Sequence, residues 1–425
     1  MDGPVSGEVR PVFSAGPASR SLFLTPGDLD GKTLVVFKLS GWGTLVSVAP
    51  LLAGIRRRFP AMRQVLVTGE KNVRIASRFF FCNEILTVEN TAGRSGLPFW
   101  EAMGLALRIR SFRPSLFLDL QLHSFRKTAL YLSRSSGAGA RIGFVSHSDR
   151  PRMHHLTHPL FFNSHHPSLL AYEQAARLFG VETESSRKEV MESLFREDPE
   201  EGSKVEALCP FLTLSGKLCV INPNASERAS ERRWPPEYFA AAVDRLLRRH
   251  PALRIVMTGG GEEREYVEGI CRKSGAPASR LFNMAGKLPF GGFIALLRRA
   301  HVFLTNDSGP LHLAVALGTP TVALFGPTRP DLVLPHADPG RLAALYDPLY
   351  CSPCLYQIDR PPCGGNNVCL SGVSVDRVVR AVESFLPGEN ALPELRPVLF
   401  HTSRRRTTFG DPMAGFYGGG AGEVP

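Results

Sequence analysis

Short β-branched runs alternate with amphipathic stretches along most of this chain, and that alternation restricts its fold more than any other feature. TLVVFK from Thr33 leads through a Gly-rich turn into a stretch that puts Leu45, Val48, Leu52 and Ile55 on one helical face. The β-loop-α unit recurs through QVLVTG, EILTVE, a helix over 100–109, SLFLDLQ, a helix near 125–133 and RIGFV. A second series follows: KLCVIN, a helix starting at WPPEYF, LRIVMTGGG, a helix through Glu265, one ending near Arg299, HVFLTND, a helix from Pro310, and PTVALFG. Alternating strands and helices predict doubly wound parallel sheets, so the expected class is α/β with two Rossmann-like halves facing each other.

Between the two series lies the polar stretch SSRKEVMESLFREDPEEGSK, which reads as a linker with some helix. The expected division is a flexible extension over 1–30, a first domain over 31–185, a linker over 186–215, a second domain over 216–386 and a flexible tail over 387–425. A chain of 425 residues with 43% hydrophobic and 21% charged residues has the material for two cores and is not compositionally disordered. Its most apolar stretch, over 311–325, is interrupted by His312, Gly318 and Pro320, short of the roughly 20 apolar residues of a membrane span. The first residues show no apolar h-region, so a cytoplasmic location is expected.

A net charge of +11 favours acidic partners such as nucleotides, phosphorylated glycolipids or anionic membrane surfaces. Zinc-finger spacing, an RNP-like strand and a long basic run are all missing, so nucleic acid is not expected as a partner. Cys82, Cys209, Cys219 and Cys271 sit among apolar neighbours and read as buried thiols. Cys351, Cys354, Cys363 and Cys369 form C-x2-C-x8-C-x5-C in a Pro/Gly-rich loop; reduced thiols, disulfides and a structural metal site are all open for them.

The segment richest in chemistry is LTNDSGPLHLAVALG. A buried strand ends at Asn306-Asp307 and a helix opens at Ser308-Gly309-Pro310, with His312 in its first turn and Ser308 or Asp307 available as cap. Free backbone N–H groups and the positive helix end make such a terminus a phosphate site, and Gly309 permits close approach. A well-capped core helix is the alternative.

This strand-NDSGPxH-helix unit, followed by PTVALFGPT, resembles the heptosyltransferases, bacterial glycosyltransferases of the lipopolysaccharide inner core. INPNAS with RRWPPEYF, and MTGGGEERE with NMAGKLPF, resemble that family's donor-side segments. FKLSGWGTLVSVAP and SLFLDLQ with RIGF resemble its acceptor half, and the likeness covers 34–386, including the four-cysteine loop. The resemblance implies the GT-B fold, an active site in the interdomain cleft and a final helix returning towards the first domain. It further implies a single inverting displacement without metal, hence no obligatory cofactor. The partners implied are a nucleotide diphosphate sugar, ADP-heptose in particular, and a lipid-linked glycan acceptor met by peripheral contact at the inner face of the inner membrane.

Carried over residue by residue, Asp307, Ser308, Gly309 and His312 would hold the donor diphosphate, and Arg232 stands where the family usually has a phosphate-neutralising Lys. Asn224, Ala225 and Ser226 would approach the phosphates or sugar, and Glu263 matches a nucleoside contact. Lys38, Gly41 and Gly43 would face the acceptor, although Lys38 could equally be solvated and Arg232 could pair with Glu231. The family's catalytic Asp follows the first-loop glycine, where this chain has Thr44, and a Thr hydroxyl cannot act as a base near neutral pH. Three readings compete: Thr44 only positions the acceptor while Asp119 or His123 takes the proton, the chain belongs to a divergent branch with another acceptor, which is the preferred reading, or catalysis has been lost. A silent sugar-nucleotide binding protein and a nucleotide-sugar epimerase are the rival functions. His154, His155, His158, His165 and His166 lack the spacing of a compact metal site.

Overall fold

A computed structural model describes residues 29–39, 41–89, 96–123, 125–146, 150–197, 199–213, 216–225, 227–355 and 363–386. Residues 1–28 of the expected extension over 1–30, the expected tail over 387–425, and Ser226 lie outside the described residues. Strand β1 (Thr33–Phe37) feeds α1 (Trp42–Arg58), and β2 (Arg63–Gly69) is followed by the single turn α2 (Val73–Ala76). Then come β3 (Glu84–Val88), α3 (Phe99–Ser111), β4 (Leu116–Asp119), α4 (Arg126–Ser135), β5 (Ala140–Val145), α5 (Arg150–Met153), β6 (His158–Phe161) and α6 (Ser168–Leu178). All neighbouring pairs are parallel, in the order β3-β2-β1-β4-β5-β6. Parallel strands need helical crossovers, which the β-branched runs and amphipathic stretches supply in turn.

The expected linker is largely helical: α7 (Arg187–Leu194), α8 (Pro199–Leu208) and a 3-10 turn at Pro210–Thr213. Val190, Met191, Leu194, Phe195 and Val205 of this stretch are buried, so it packs as part of the body. The second sheet starts with β7 (Lys217–Asn222), α9 (Pro236–Arg249), β8 (Leu253–Met257), α10 (Arg264–Ser274), β9 (Leu281–Asn283) and α11 (Phe290–Arg299). It continues with β10 (Val302–Asn306), α12 (Gly309–Leu317), β11 (Thr321–Phe325), α13 (Pro330–Val333) and β12 (Leu342–Tyr346). Its order is β12-β11-β10-β7-β8-β9, the same winding as the first sheet, so each reverses direction between its first and fourth strands.

After α14 (Val368–Ser371), the final helix α15 (Val375–Glu383) differs from expectation. It stays with the second half: Val378, Val379 and Val382 are buried with Phe239, Val243 and Leu247 of α9, and Trp234 Nε1 donates to Val373 O at 2.9 Å. Arg245 and Asp376 close the same contact at 2.5 Å. With one side of α15 wholly apolar and satisfied there, nothing draws it back to the first sheet.

The halves share a core. One apolar cluster joins Leu45, Leu51 and Leu52 of α1 to Leu313 and Ala314 of α12 and to Ile294 and Leu297 of α11. Arg78 beside the first sheet pairs with Glu201 of α8 at 2.6 Å, and Arg299 of α11 pairs with Glu197 at 2.8 Å. These contacts hold the carboxyl edges of both sheets facing one cleft.

Candidate functional site

The strand ends at the two reversal points make the floor of this cleft. Phe37 lies opposite Asp119 in the β1/β4 pair, and Thr305 lies opposite Asn222 in the β7/β10 pair. Open parallel sheets bind ligands at such points because neighbouring loops diverge there and leave a crevice. The resulting cavity of ≈ 1820 Å³ is lined from the first half by Lys38, Gly41, Gly43, Thr44 and His123. From the second half it is lined by Asn224, Ala225, Arg232, Glu263, Asp307, Ser308, Gly309 and His312. Of the residues carried over from the family resemblance, all but Asp119, and Ser226, which lies outside the described residues, line this cleft.

On the second half, α12 opens directly into the cleft. Ser308 is extended at φ −149 and its side chain makes no capping bond to the helix. Its hydroxyl instead meets Thr305 Oγ1 at 3.3 Å, so the expected side-chain cap is not formed. The first-turn N–H groups therefore lack a capping side chain, as suits an anion-binding terminus. Asp307 is buried and its Oδ2 accepts from Thr328 Oγ1 at 2.7 Å and from Arg232 at 3.4 Å. A carboxylate accepts hydrogen bonds only, so Asp307 cannot itself cradle a phosphate; it aims Arg232 and Thr328. The alternative pairing of Arg232 with Glu231 gives way to this one.

The Gly-rich turn after β8 closes the far side. Glu263 Oε2 accepts from the Gly260 N–H at 2.7 Å, and burial raises its carboxyl above the usual carboxylate range. Asn224 Nδ2 donates to Thr258 O at 3.0 Å, which ties the loop after β7 to that turn.

On the first half, Gly41 takes φ 86, a left-handed conformation that suits glycine, and so turns the chain into α1. Thr44 Oγ1 donates to Gly41 O at 3.0 Å. Gly43 is needed for space: a side chain there would overlap the His312 ring. Reciprocally, a Cβ on Gly309 would come within 2.9 Å of Trp42 Cβ. The N-termini of α1 and α12 thus meet ring over glycine, and both point into the cleft. His312 is half-buried; desolvation lowers its pKa, Asp307 opposing and Arg232 assisting, so the imidazole is held towards neutrality.

Lys38, 3% exposed, donates to Leu120 O at 2.9 Å and to Tyr172 OH at 3.0 Å, and burial brings it down to about 7. His123 is pushed down to about 4 by burial, with Lys38 and Arg126 adding to the effect. Asp119 does not face the cleft. It is 1% exposed, its Oδ2 is taken by Arg152 and its Oδ1 by the Gln121 N–H at 2.9 Å, so it serves the fold as a buried ion pair.

Other participants escaped the sequence reading. Thr328 is the last letter of the PTVALFGPT motif, so its place was visible though its partner was not. Trp42 lies edge-on to Phe290 at 5.4 Å and donates Nε1 to Lys71 O at 2.8 Å, and Lys71 reaches Glu262 across the cleft at 3.6 Å. Tyr172 carried no local signal. Cys351, Cys354, Cys363 and Cys369 are free thiols around a separate small cavity that Glu231 and Pro327 also line. Among the described residues, no three His, Cys, Asp or Glu side chains are grouped to hold a metal ion, and no helix is long and apolar enough to cross a membrane.

Two like-wound Rossmann sheets with their carboxyl edges turned on one cleft define the GT-B architecture. The chain matches the model of glycosyltransferase family 9 (heptosyltransferase) over residues 120–362, and it belongs to that family. It is 26% identical over 178 residues to lipooligosaccharide heptosyltransferase 2 of Campylobacter jejuni, a match covering 42% of this chain and 54% of that protein. The chain thus matches about half the length of that relative. Its fold is similar to the glycosyl transferase family 9 structure from Veillonella parvula, with TM-score 0.62 and 21% identity over 86% of this chain and 99% of that one. It is likewise similar to the ADP-heptose lps heptosyltransferase II of E. coli, with TM-score 0.58 and 18% identity over 83% of this chain and 98% of that one.

Proposed function

We propose that this chain is an inverting glycosyltransferase that moves heptose from ADP-heptose to a lipopolysaccharide core or related lipid-linked glycan, at the cytoplasmic face of the inner membrane. The observation that carries the reading is the meeting of two helix N-termini, with Arg232, Asp307 and Thr328 at one of them, over the β1/β4 and β7/β10 reversal points. A sugar leaving a diphosphate passes through an oxocarbenium-like state while negative charge grows on the departing phosphate. Fixed N–H dipoles and a half-buried guanidinium at that charge lower the barrier without having to reorganise. The roles follow: α12's first turn and Arg232 hold the diphosphate, the turn with Glu263 meets the nucleoside, and the Gly41–Thr44 turn receives the acceptor. A net charge of +11 suits a phosphorylated acceptor at an anionic surface.

The test is turnover of ADP-heptose with and without lipopolysaccharide stripped of its outer core. Transfer that needs both substrates and falls about 10²–10³-fold in Arg232→Ala supports the reading, that being the usual loss for one donor to a developing anion. Tight ADP binding without transfer would make the chain a silent binding module, and a rearranged sugar formed without acceptor would make it an epimerase.

A further inference from the structure

Transfer to a hydroxyl requires a group to take its proton, and the position that resembles the family's carboxylate holds Thr44. That hydroxyl already donates to Gly41 O, and Asp119 is sealed in its pair with Arg152. We propose that Lys38 is the general base of this chain, its uncharged amine taking the acceptor proton at the end of β1. This rests on the transferase reading above.

Geometry carries the assignment. Lys38 follows β1 at the reversal point of the first sheet and lines the same cleft as Gly43 and Thr44. Its nitrogen is held from two sides, by Leu120 O at the end of β4 and by Tyr172 OH on α6. An uncharged amine has two N–H donors and one lone pair, so these two acceptors use up its donors and leave the lone pair for an incoming hydroxyl. The ionisable groups around it are Tyr172, His123 and Arg126 beyond β4, and Asp119. Burial alone lowers Lys38 to about 7, burial raises the Tyr172 phenol, and His123 at about 4 is the weaker base of the two. Thr44, in the same cleft, adds no charge that would favour the ammonium.

The step balances within the substrates. The Lys38 lone pair takes the hydroxyl proton while the acceptor oxygen bonds to the anomeric carbon. The bond from that carbon to the diphosphate oxygen breaks, and its electron pair leaves on the phosphate. The Leu120 carbonyl and the Tyr172 hydroxyl oxygen, already within hydrogen-bond distance, solvate the ammonium as it forms. The ammonium then returns its proton to water.

The experiment measures kcat and KM for ADP-heptose and stripped lipopolysaccharide in wild type, Lys38→Met, Lys38→Arg and Lys38→Ala, with calorimetric ADP binding confirming that each variant is folded. Expected is a kcat loss of about 10²–10⁴-fold in both Lys38→Met and Lys38→Arg, with ADP affinity kept. Lys38→Ala regains rate with small primary amines in proportion to their free-base concentration. Wild-type kcat/KM climbs with pH through about 7, and Lys38→Met lacks that limb. If Lys38→Arg keeps kcat and only the acceptor KM moves, Lys38 is an acceptor clamp and the proposal fails. It fails equally if the limb survives in Lys38→Met and vanishes in His123→Gln. A wild type that binds ADP and never transfers sugar overturns the transferase reading, and the base with it.

Discussion

At the scale of single residues, the cleft is arranged by pairs that direct charge. Arg232→Lys keeps a cation but loses the planar guanidinium, one nitrogen of which reaches Asp307, so ADP affinity is expected to fall about tenfold, against about a hundredfold in Arg232→Ala. Isothermal titration reads both. Lys38 also leaves a mark on stability. Its amine is neutral in the fold above about 7 but stays charged in the unfolded chain up to 10.5. The unfolded state therefore holds the extra proton in that window, and this site's contribution to stability rises with pH across it. Denaturant melts should show wild type gaining on Lys38→Met from pH 7 to 10, and a constant gap would contradict the burial. Asp307 and Arg232 were legible because their motifs are local. Asp119 was misplaced because a strand-end carboxylate reads alike whether it meets solvent or an arginine, here Arg152, 33 residues on. Tyr172, 134 residues from Lys38, has no counterpart in any short pattern.

At the scale of elements, the contact between α1 and α12 sets the site's tolerance. Gly43→Ala forces the His312 ring out of place, and Gly309→Ala crowds Trp42, so the two helix ends must part. Misplacement of about 1 Å between catalytic parts costs on the order of 10²-fold in rate. Both variants should therefore lose kcat while each half keeps its circular dichroism; activity within threefold of wild type would deny the contact its importance. The parallel α/β class came readily from β-branched runs spaced by helices, whereas the short strands β6, β9 and β12 carried no such run and the strand order was not read. The stretch over 187–208 was harder to read. Its polar letters are those of a linker, yet Val190, Met191, Leu194 and Val205 recur on buried helix faces. For α15 the resemblance misled, because which half a terminal helix covers depends on whose surface its valines fit.

At the scale of the whole molecule, the shared core predicts that the halves do not melt separately. Calorimetry should give one transition, shifted upward by ADP, because a ligand bound across the fold stabilises all that unfolds with it. Two transitions, with ADP moving only one, would show the common cluster to be too weak. The cation excess predicts that the acceptor KM rises with ionic strength while ADP affinity, set in a sheltered cleft, moves less. Among the three tryptophans, Trp234 is sealed in the second core and Trp100 is 73% exposed, but Trp42 spans the seam, touching Phe290 and crowding Gly309. The molecule so carries its own optical gauge: in a Trp100→Phe background, the change in emission on adding nucleotide would report the seam opening or tightening, without any dye attached.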